Sequence, residues 1–277
     1  MNAHGGDTSA NVSTNVKIIS SRDNPLYKEL KQLAGSSAAR RKAGRSLLDG
    51  VHLAQSYLQA VGRPQLCIVS ESGRGNPEVA AILAQCDTAR AMCIVLPDAL
   101  YAGLSQVEHG VGLLFVISVP QPVLPQMLTQ SAVLLDNLQD PGNLGSILRS
   151  AAAAGIRQIF CSAGTASAWS PKVLRAGMGA HFLLEIFENV DLPAYARQAK
   201  VPLLATSSYA QTSLFEADLR QPVAWLFGHE GQGVAQDLLD CATTQIVIPH
   251  LGAMESLNVA AAAAVCFFEQ LRQSQLS

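Results

Sequence analysis

Five short apolar runs dominate the second half of the chain: SAVLLD (131–136), RQIFCS (157–162), VPLLATS (201–207), PVAWLFG (222–228) and TQIVIP (244–249). None alternates apolar with polar residues, as a strand with one wet face would. Helical segments separate them. Continuous apolar strands joined by helices imply a parallel sheet covered on both faces, so the expected class is α/β. In such sheets ligands bind beyond the carboxyl ends of the strands, which directs attention to the loops after each run.

The first half reads as a smaller α/β unit. Asn24-Pro25 has the form of a cap followed by a first-turn proline and predicts a helix through Leu33. ARRKAGR then reads as a basic loop leading into the apolar run SLLDG. LCIVS (66–70) and MCIVL (92–96) predict buried strands on either side of the helical pattern NPEVAAILAQC, and GLLFVISV predicts another strand. Three prolines in PQPVLPQ are too many for a helix or a central strand. The expected organisation is a disordered tail over 1–13, a small α/β domain over 14–119, a proline-rich linker over 120–130 and a second domain over 131–277.

With 277 residues, 49% hydrophobic and 14% charged, the chain can bury two cores of ordinary size. It has no apolar run long enough to span a bilayer and no visible secretory signal, so a cytoplasmic location is expected. The six cysteines are scattered, without CxxC pairs or histidines at ligand spacing, and read as small reduced core residues; no metal is expected. A net charge of −2 disfavours a polyanion partner only if charge is evenly spread. It is not: Thr14 to Arg45 holds 8 basic against 2 acidic residues, where a polyanion could dock, although a solvated helix face would look the same.

Three loops carry the chemistry. After SAVLLD comes NLQDPGNLGSILRS, in which Asn143 can cap a helix bearing Arg149; a helix start suits phosphate or a developing oxyanion. After PVAWLFG comes GHEGQGV, whose glycines Gly228, Gly231 and Gly233 permit close backbone approach around Glu230. After TQIVIP, Ser256 and Asn258 open the final helix. Taken singly, each loop could be no more than turn glycines and helix caps. GHEGQGV lacks the G-x-G-x-x-G spacing of a dinucleotide loop and does not follow the first strand of a βαβ series.

In order, the three loops resemble the signature motifs of the SpoU (TrmH) branch of the SPOUT RNA methyltransferases. Asn143, Gly145, Ile147 and Arg149 match N-x-G-x-I-x-R; Gly228, Glu230 and Gly233 match G-x-E-x-x-G; residues 256–259 match SLNV. NPLYKELKQL, ARRK and SLLDGVHL are similar to that family's small RNA-binding domain, a ribosomal-protein-like fold. Asp49, His250 and Gly177 stand where the family more often has glutamate, methionine and serine.

The resemblance implies a SPOUT domain with a deep trefoil knot, S-adenosylmethionine as cofactor, a homodimer, and transfer of a methyl group to a ribose 2′-hydroxyl. By position it implies cofactor contacts at Thr206, Gly228, Ile248, Gly252 and Leu257, catalytic roles for Arg149, Asn143, Glu230, Ser256 and Asn258, and RNA contacts at Arg40, Arg41, Lys42 and Arg175. A ribose hydroxyl is a very weak acid, so the demand falls on activating it. Arg149 is assigned that task, more readily as an orienting cation than as a base, because guanidinium keeps its proton. His229 and His250 are rival bases or solvated loop residues, and Trp169 and Trp225 could stack on a base or belong to the core. Ribosomal RNA is favoured over transfer RNA, and a non-catalytic RNA-binding protein is the remaining alternative.

Overall fold

The computed structural model describes residues 16–107, 110–253 and 255–275. The expected tail over 1–13 lies outside the described residues. The chain forms two compact units. The described residues up to Ala39 with Leu47–Ser118 make the first, and Arg40–Ser46 with the described residues from Val119 onward make the second.

Up to Ser118 the elements run β1 (Val16–Ile18), α1 (Pro25–Gly35), α2 (Ser37–Ala43), β2 (Arg45–Asp49), α3 (Val51–Ala60), β3 (Leu66–Ser70), α4 (Pro77–Thr88), β4 (Met92–Leu96), α5 (Asp98–Tyr101) and β5 (Leu113–Ser118), most of α2 and the start of β2 being counted with the second unit. The sheet order is β1-β4-β3-β5-β2, with β1, β4 and β3 parallel and β5 antiparallel to β3. Asn24 caps α1 as its motif suggests, the side-chain oxygen accepting from Leu26 N–H at 2.9 Å. Asn76 does the same for α4, accepting from Glu78 N–H at 2.8 Å. Ile19, Leu30, Leu33, Ile68, Ile94 and Leu114 form the core between α1 and the sheet.

ARRKAGR is not the expected basic loop: most of it is α2. Alanines and long unbranched basic residues favour helix, and Arg40, Arg41 and Lys42 in the last turn complement the negative end of the helix. The Ser36 hydroxyl accepts from Ala39 N–H at 3.1 Å, and Gly44 at φ 61° ends the element.

The second unit contains β6 (Ala132–Leu135), α6 (Pro141–Ala153), β7 (Gln158–Cys161), α7 (Pro171–Gly177), β8 (Glu185–Phe187), α8 (Leu192–Ala196), β9 (Leu203–Thr206), β10 (Thr212–Ser213), β11 (Ala224–Phe227), α9 (Gln236–Leu239), β12 (Thr244–Val247) and α10 (Val259–Ser274). All five apolar runs are strands of one seven-stranded parallel sheet of order β10-β12-β9-β11-β6-β7-β8. The two edge strands, three and two residues long, are too short to leave a pattern in the sequence.

Both tryptophans belong to the interior. Trp225 is fully buried, and its indole N–H donates to Gln270 at 2.8 Å, tying β11 to α10. Trp169 is 4% exposed and meets the His181 ring edge-on. Helix α6 lies unusually close to α7 because it crosses at Gly145. A Cβ there would overlap the Ala176 methyl and sit 2.7 Å from Val173 O and 2.9 Å from Gly177 N. Gly177 is confined in turn by the buried His181 ring, 2.7 Å from where its Cβ would be, which leaves no room for the serine more usual in the family. Gly145→Ala is therefore expected to cost about 1–3 kcal/mol, read as a lowered denaturant midpoint; unchanged stability would contradict this packing.

Candidate functional site

The three motif loops leave the carboxyl ends of β6, β11 and β12, on one edge of the sheet. In the first, Asp140 is the cap of α6 and Asn143 is not. Asp140 Oδ1 accepts from Asn143 N–H at 2.7 Å, and Pro141 takes the first helical position. The cap precedes the proline, so Asn143 sits inside the first turn with its side-chain amide released for other contacts.

The second loop is a tight backbone reversal. A Cβ on Gly228 would overlap the backbone of Gly233 and Val234, so only glycine fits there. His229 O accepts from Gly233 N–H at 2.8 Å, and His229 Nδ1 accepts from Gly231 N–H at 3.0 Å and Gln232 N–H at 3.2 Å. His229 thus helps form this loop through its Nδ1. The loop turns Glu230 toward the first motif: its carboxylate accepts from Asp140 N–H at 3.0 Å, Gln139 N–H at 3.3 Å and the Asn143 amide at 3.2 Å.

The third loop closes the arrangement. Asn258 caps α10, its side-chain oxygen accepting from Ala260 N–H at 2.9 Å and Ala261 N–H at 3.2 Å, while its amide donates to Asn143 Oδ1 at 2.9 Å. Asn258, Asn143 and Glu230 therefore form one continuous chain of hydrogen bonds across residues 115 and 87 positions apart. Asn143 uses both ends of its amide, which an aspartate or leucine could not do. Burial pushes the Glu230 carboxyl up, but the N–H groups of Asp140, Glu230 itself and Gln139, with the Asn143 amide, outweigh it and hold the group below its usual range.

Arg149 is exposed on the outer face of α6, in line with Gly142, Ser146 and Ala153, small neighbours that leave the guanidinium accessible. Ser256 is exposed just before the α10 cap. Thr206 ends β9, its hydroxyl donating to Leu226 O at 3.4 Å. Ile248 is half-buried, with its carbonyl 3.0 Å from His250 Nδ1. Leu251 and Leu257 carry bare apolar side chains, 107% and 40% exposed, and the space around Gly252 is open.

Among the expected RNA contacts, Arg41 and Lys42 are exposed and Arg175 is half-buried. Arg40 is 8% exposed, with burial lowering its pKa and Glu188 opposing that shift. Sequence reading missed Asp140, Gln139 and Asp136, whose carboxylate accepts from Ala235 N–H at 3.2 Å and ties the first loop to the second. The Asp140-Pro141 pair held the signal for the cap. Gln139 contributes only its main chain, which no residue type announces.

A parallel α/β sheet with these three loops joined at one edge is the architecture of an S-adenosylmethionine-dependent RNA methyltransferase domain. The chain belongs to the SpoU rRNA methylase family, whose sequence model matches residues 130–268. It is 33% identical over 268 residues to a Synechocystis protein described as an uncharacterized tRNA/rRNA methyltransferase, covering 95% of this chain and 96% of that one. It is 29% identical over 256 residues to a 23S rRNA guanosine-2′-O-methyltransferase of Bacillus subtilis, covering 91% and 98%. The crystal structure of an S-adenosylmethionine-bound rRNA methyltransferase from Sinorhizobium meliloti superposes with a TM-score of 0.79 at 25% identity, over 93% of this chain and 98% of that one.

The bridging role of Asn143 has a measurable consequence. In a double-mutant cycle, Asn143→Ala and Asn258→Ala should couple by about 1 kcal/mol in stability, whereas additive effects would show the 2.9 Å contact to be idle. Because the folded Glu230 pKa lies below its unfolded value, its carboxylate stabilises the fold above the usual glutamate range and loses that contribution as pH falls below about 4.

Proposed function

We propose that this chain methylates a ribose 2′-hydroxyl in ribosomal RNA, with its catalytic group at Arg149 and its cofactor held by the loops after β9, β11 and β12. The observation carrying this reading is the hydrogen-bond chain from Glu230 through Asn143 to Asn258, which makes one rigid frame from three loops distant in sequence. The family, and the 2′-O-methylation of 23S rRNA named for the Bacillus subtilis relative, support the substrate.

The residues present suit S-adenosylmethionine. Leu251 and Leu257 offer apolar surface that the protein itself leaves uncovered, and Gly252 leaves the main chain between them open. An adenine needs such walls together with main-chain donors and acceptors, available at Gly228, Ile248 and Leu257, with Thr206 at the adjoining strand end. When bound, the cofactor supplies an electrophilic methyl group on a sulfonium and needs no acid to leave.

The protein's task is to prepare the hydroxyl. Arg149, exposed and flanked by small residues, orients the ribose and stabilises the developing alkoxide while the hydroxyl proton passes to solvent; a guanidinium does this without changing its own protonation. Asn143, Glu230 and Asn258 hold the frame, and Ser256, at its rim, contacts the ribose or its phosphate. RNA is recruited by the first unit and by Arg41, Lys42 and Arg175.

The same reading includes a homodimer and the trefoil knot of the family. Val265 and Phe268 on α10 are 37% and 48% exposed, apolar surface suited to a second copy. Among the described residues no helix is long and apolar enough to cross a membrane. The proposal places the enzyme in the cytoplasm with its substrate.

Arg149→Ala should reduce methyl transfer to rRNA at least a hundredfold while S-adenosylmethionine affinity, measured by calorimetry, stays within about threefold. Parallel loss of both would remove Arg149 from the chemistry. Cofactor binding without transfer to any RNA by the unmodified chain would favour the non-catalytic alternative, and transfer only to tRNA would redirect the substrate assignment.

A further inference from the structure

The second unit has a cavity of about 400 Å3 beside the edge strand β8, which the three motifs do not reach. Its walls include Arg40, Arg41, Leu124, Trp169, Glu188 and Asn189. The residues after β7 and β8 lie at the carboxyl ends of these strands, and β7 pairs in parallel with β6, the strand that carries the Arg149 loop. The cavity therefore opens at the sheet edge where the motif loops lie.

Two bonds join the loop after β7 to the Arg149 loop: Ala166 N–H donates to Leu138 O at 2.8 Å, and Asn137 N–H to the Ser162 hydroxyl at 2.8 Å. From the same β7 loop, Ala168 N–H donates to Glu188 Oε1 at 2.8 Å, which fixes the carboxylate in the cavity wall. The opposite wall is anchored as firmly. The Ser46 hydroxyl donates to Trp169 O at 2.6 Å in a buried contact, and Val119 N–H donates to Gly44 O at 2.8 Å. The segment carrying Arg40 and Arg41 and the start of the proline-rich stretch are thus held in place around the space.

The chemistry of the lining is selective. Guanidiniums suit a phosphodiester or a purine edge, Glu188 and Asn189 can receive exocyclic amines, and Leu124, 45% exposed on the proline-rich stretch, offers an apolar face to a ring. Two cations against Glu188 and Asp191 leave the cavity without a strong net charge, which disfavours a bare anion and suits a base joined to its phosphate. Its volume lies within the range of small-molecule sites.

We propose that this cavity is a second nucleotide subsite, which receives an unstacked nucleotide of the RNA a few residues from the methylated one and so selects the substrate. The proposal rests on the RNA-methyltransferase reading above. Arg41 holds the phosphate at the mouth, Leu124 packs against the base, and Arg40 with Glu188 forms the interior wall that reads its edge.

The test uses the full-length protein, S-adenosylmethionine and a ribosomal RNA transcript that the unmodified chain methylates. Leu124→Ala and Arg41→Ala, both at exposed positions and checked by thermal melting, should each raise KM for RNA about tenfold and leave S-adenosylmethionine affinity unchanged. A photocrosslinking amino acid at position 124 should attach to a nucleotide within about five of the methylated ribose. Unchanged KM in both variants, or a crosslink only to remote RNA, overturns the subsite and leaves the methyltransferase reading intact. Failure of the unmodified chain to methylate RNA removes both.

Discussion

The carboxylate of Glu230 is the interaction on which the site depends. It receives two consecutive backbone N–H groups at the start of α6 and the amide of Asn143, and Asn143 passes the connection to Asn258 at the start of α10. Loops have little regular hydrogen bonding of their own and tend to be the mobile parts of a parallel α/β sheet. Here three of them are converted into one object by side chains whose own backbones are fixed by caps and glycine turns. A charged acceptor strengthens each of these bonds, and its lowered pKa shows that the surroundings favour the ionised form despite partial burial.

The helices around this frame are adapted to hold it. Asp140, just before the first motif, caps α6, and Asn258, within the third, caps α10, so each helix start that presents a motif is satisfied locally. Gly145 brings α6 close to α7 and Trp225 pins α10 to β11 through Gln270, which leaves the framing helices little freedom to shift. Arg149 then projects from a rigid support rather than from a loop, the condition under which a cation can stabilise a developing charge without first reorganising.

Much of this was legible in the sequence because apolar continuity and cap chemistry are local signals. The five runs gave five strands, Asn24-Pro25 gave a helix start, NPEVAAILAQC gave a helix, and the three motifs stand together at one sheet edge. The failures have two physical causes: local preferences masked in the sequence by the density of charge, and contacts that decide what the pattern leaves open. ARRKAGR forms a helix because alanine and arginine favour it despite the density of charge, and Arg40 turns inward toward Glu188 where composition suggested solvent. His229 folds its own loop through Nδ1, a role that depends on backbone positions two and three residues ahead. The edge strands β8 and β10 exist because a neighbour offers pairing, not because their residues demand it.

The hydrogen-bonded frame matters only if it supports methylation of ribose in ribosomal RNA. The most direct measurement maps 2′-O-methylation across ribosomal RNA from cells lacking the gene, then from the same cells carrying either the native chain or Glu230→Ala. One ribose methyl group should vanish, return with the native chain and remain absent with the variant. A map unchanged by loss of the gene, or restored equally by Glu230→Ala, would contradict that role.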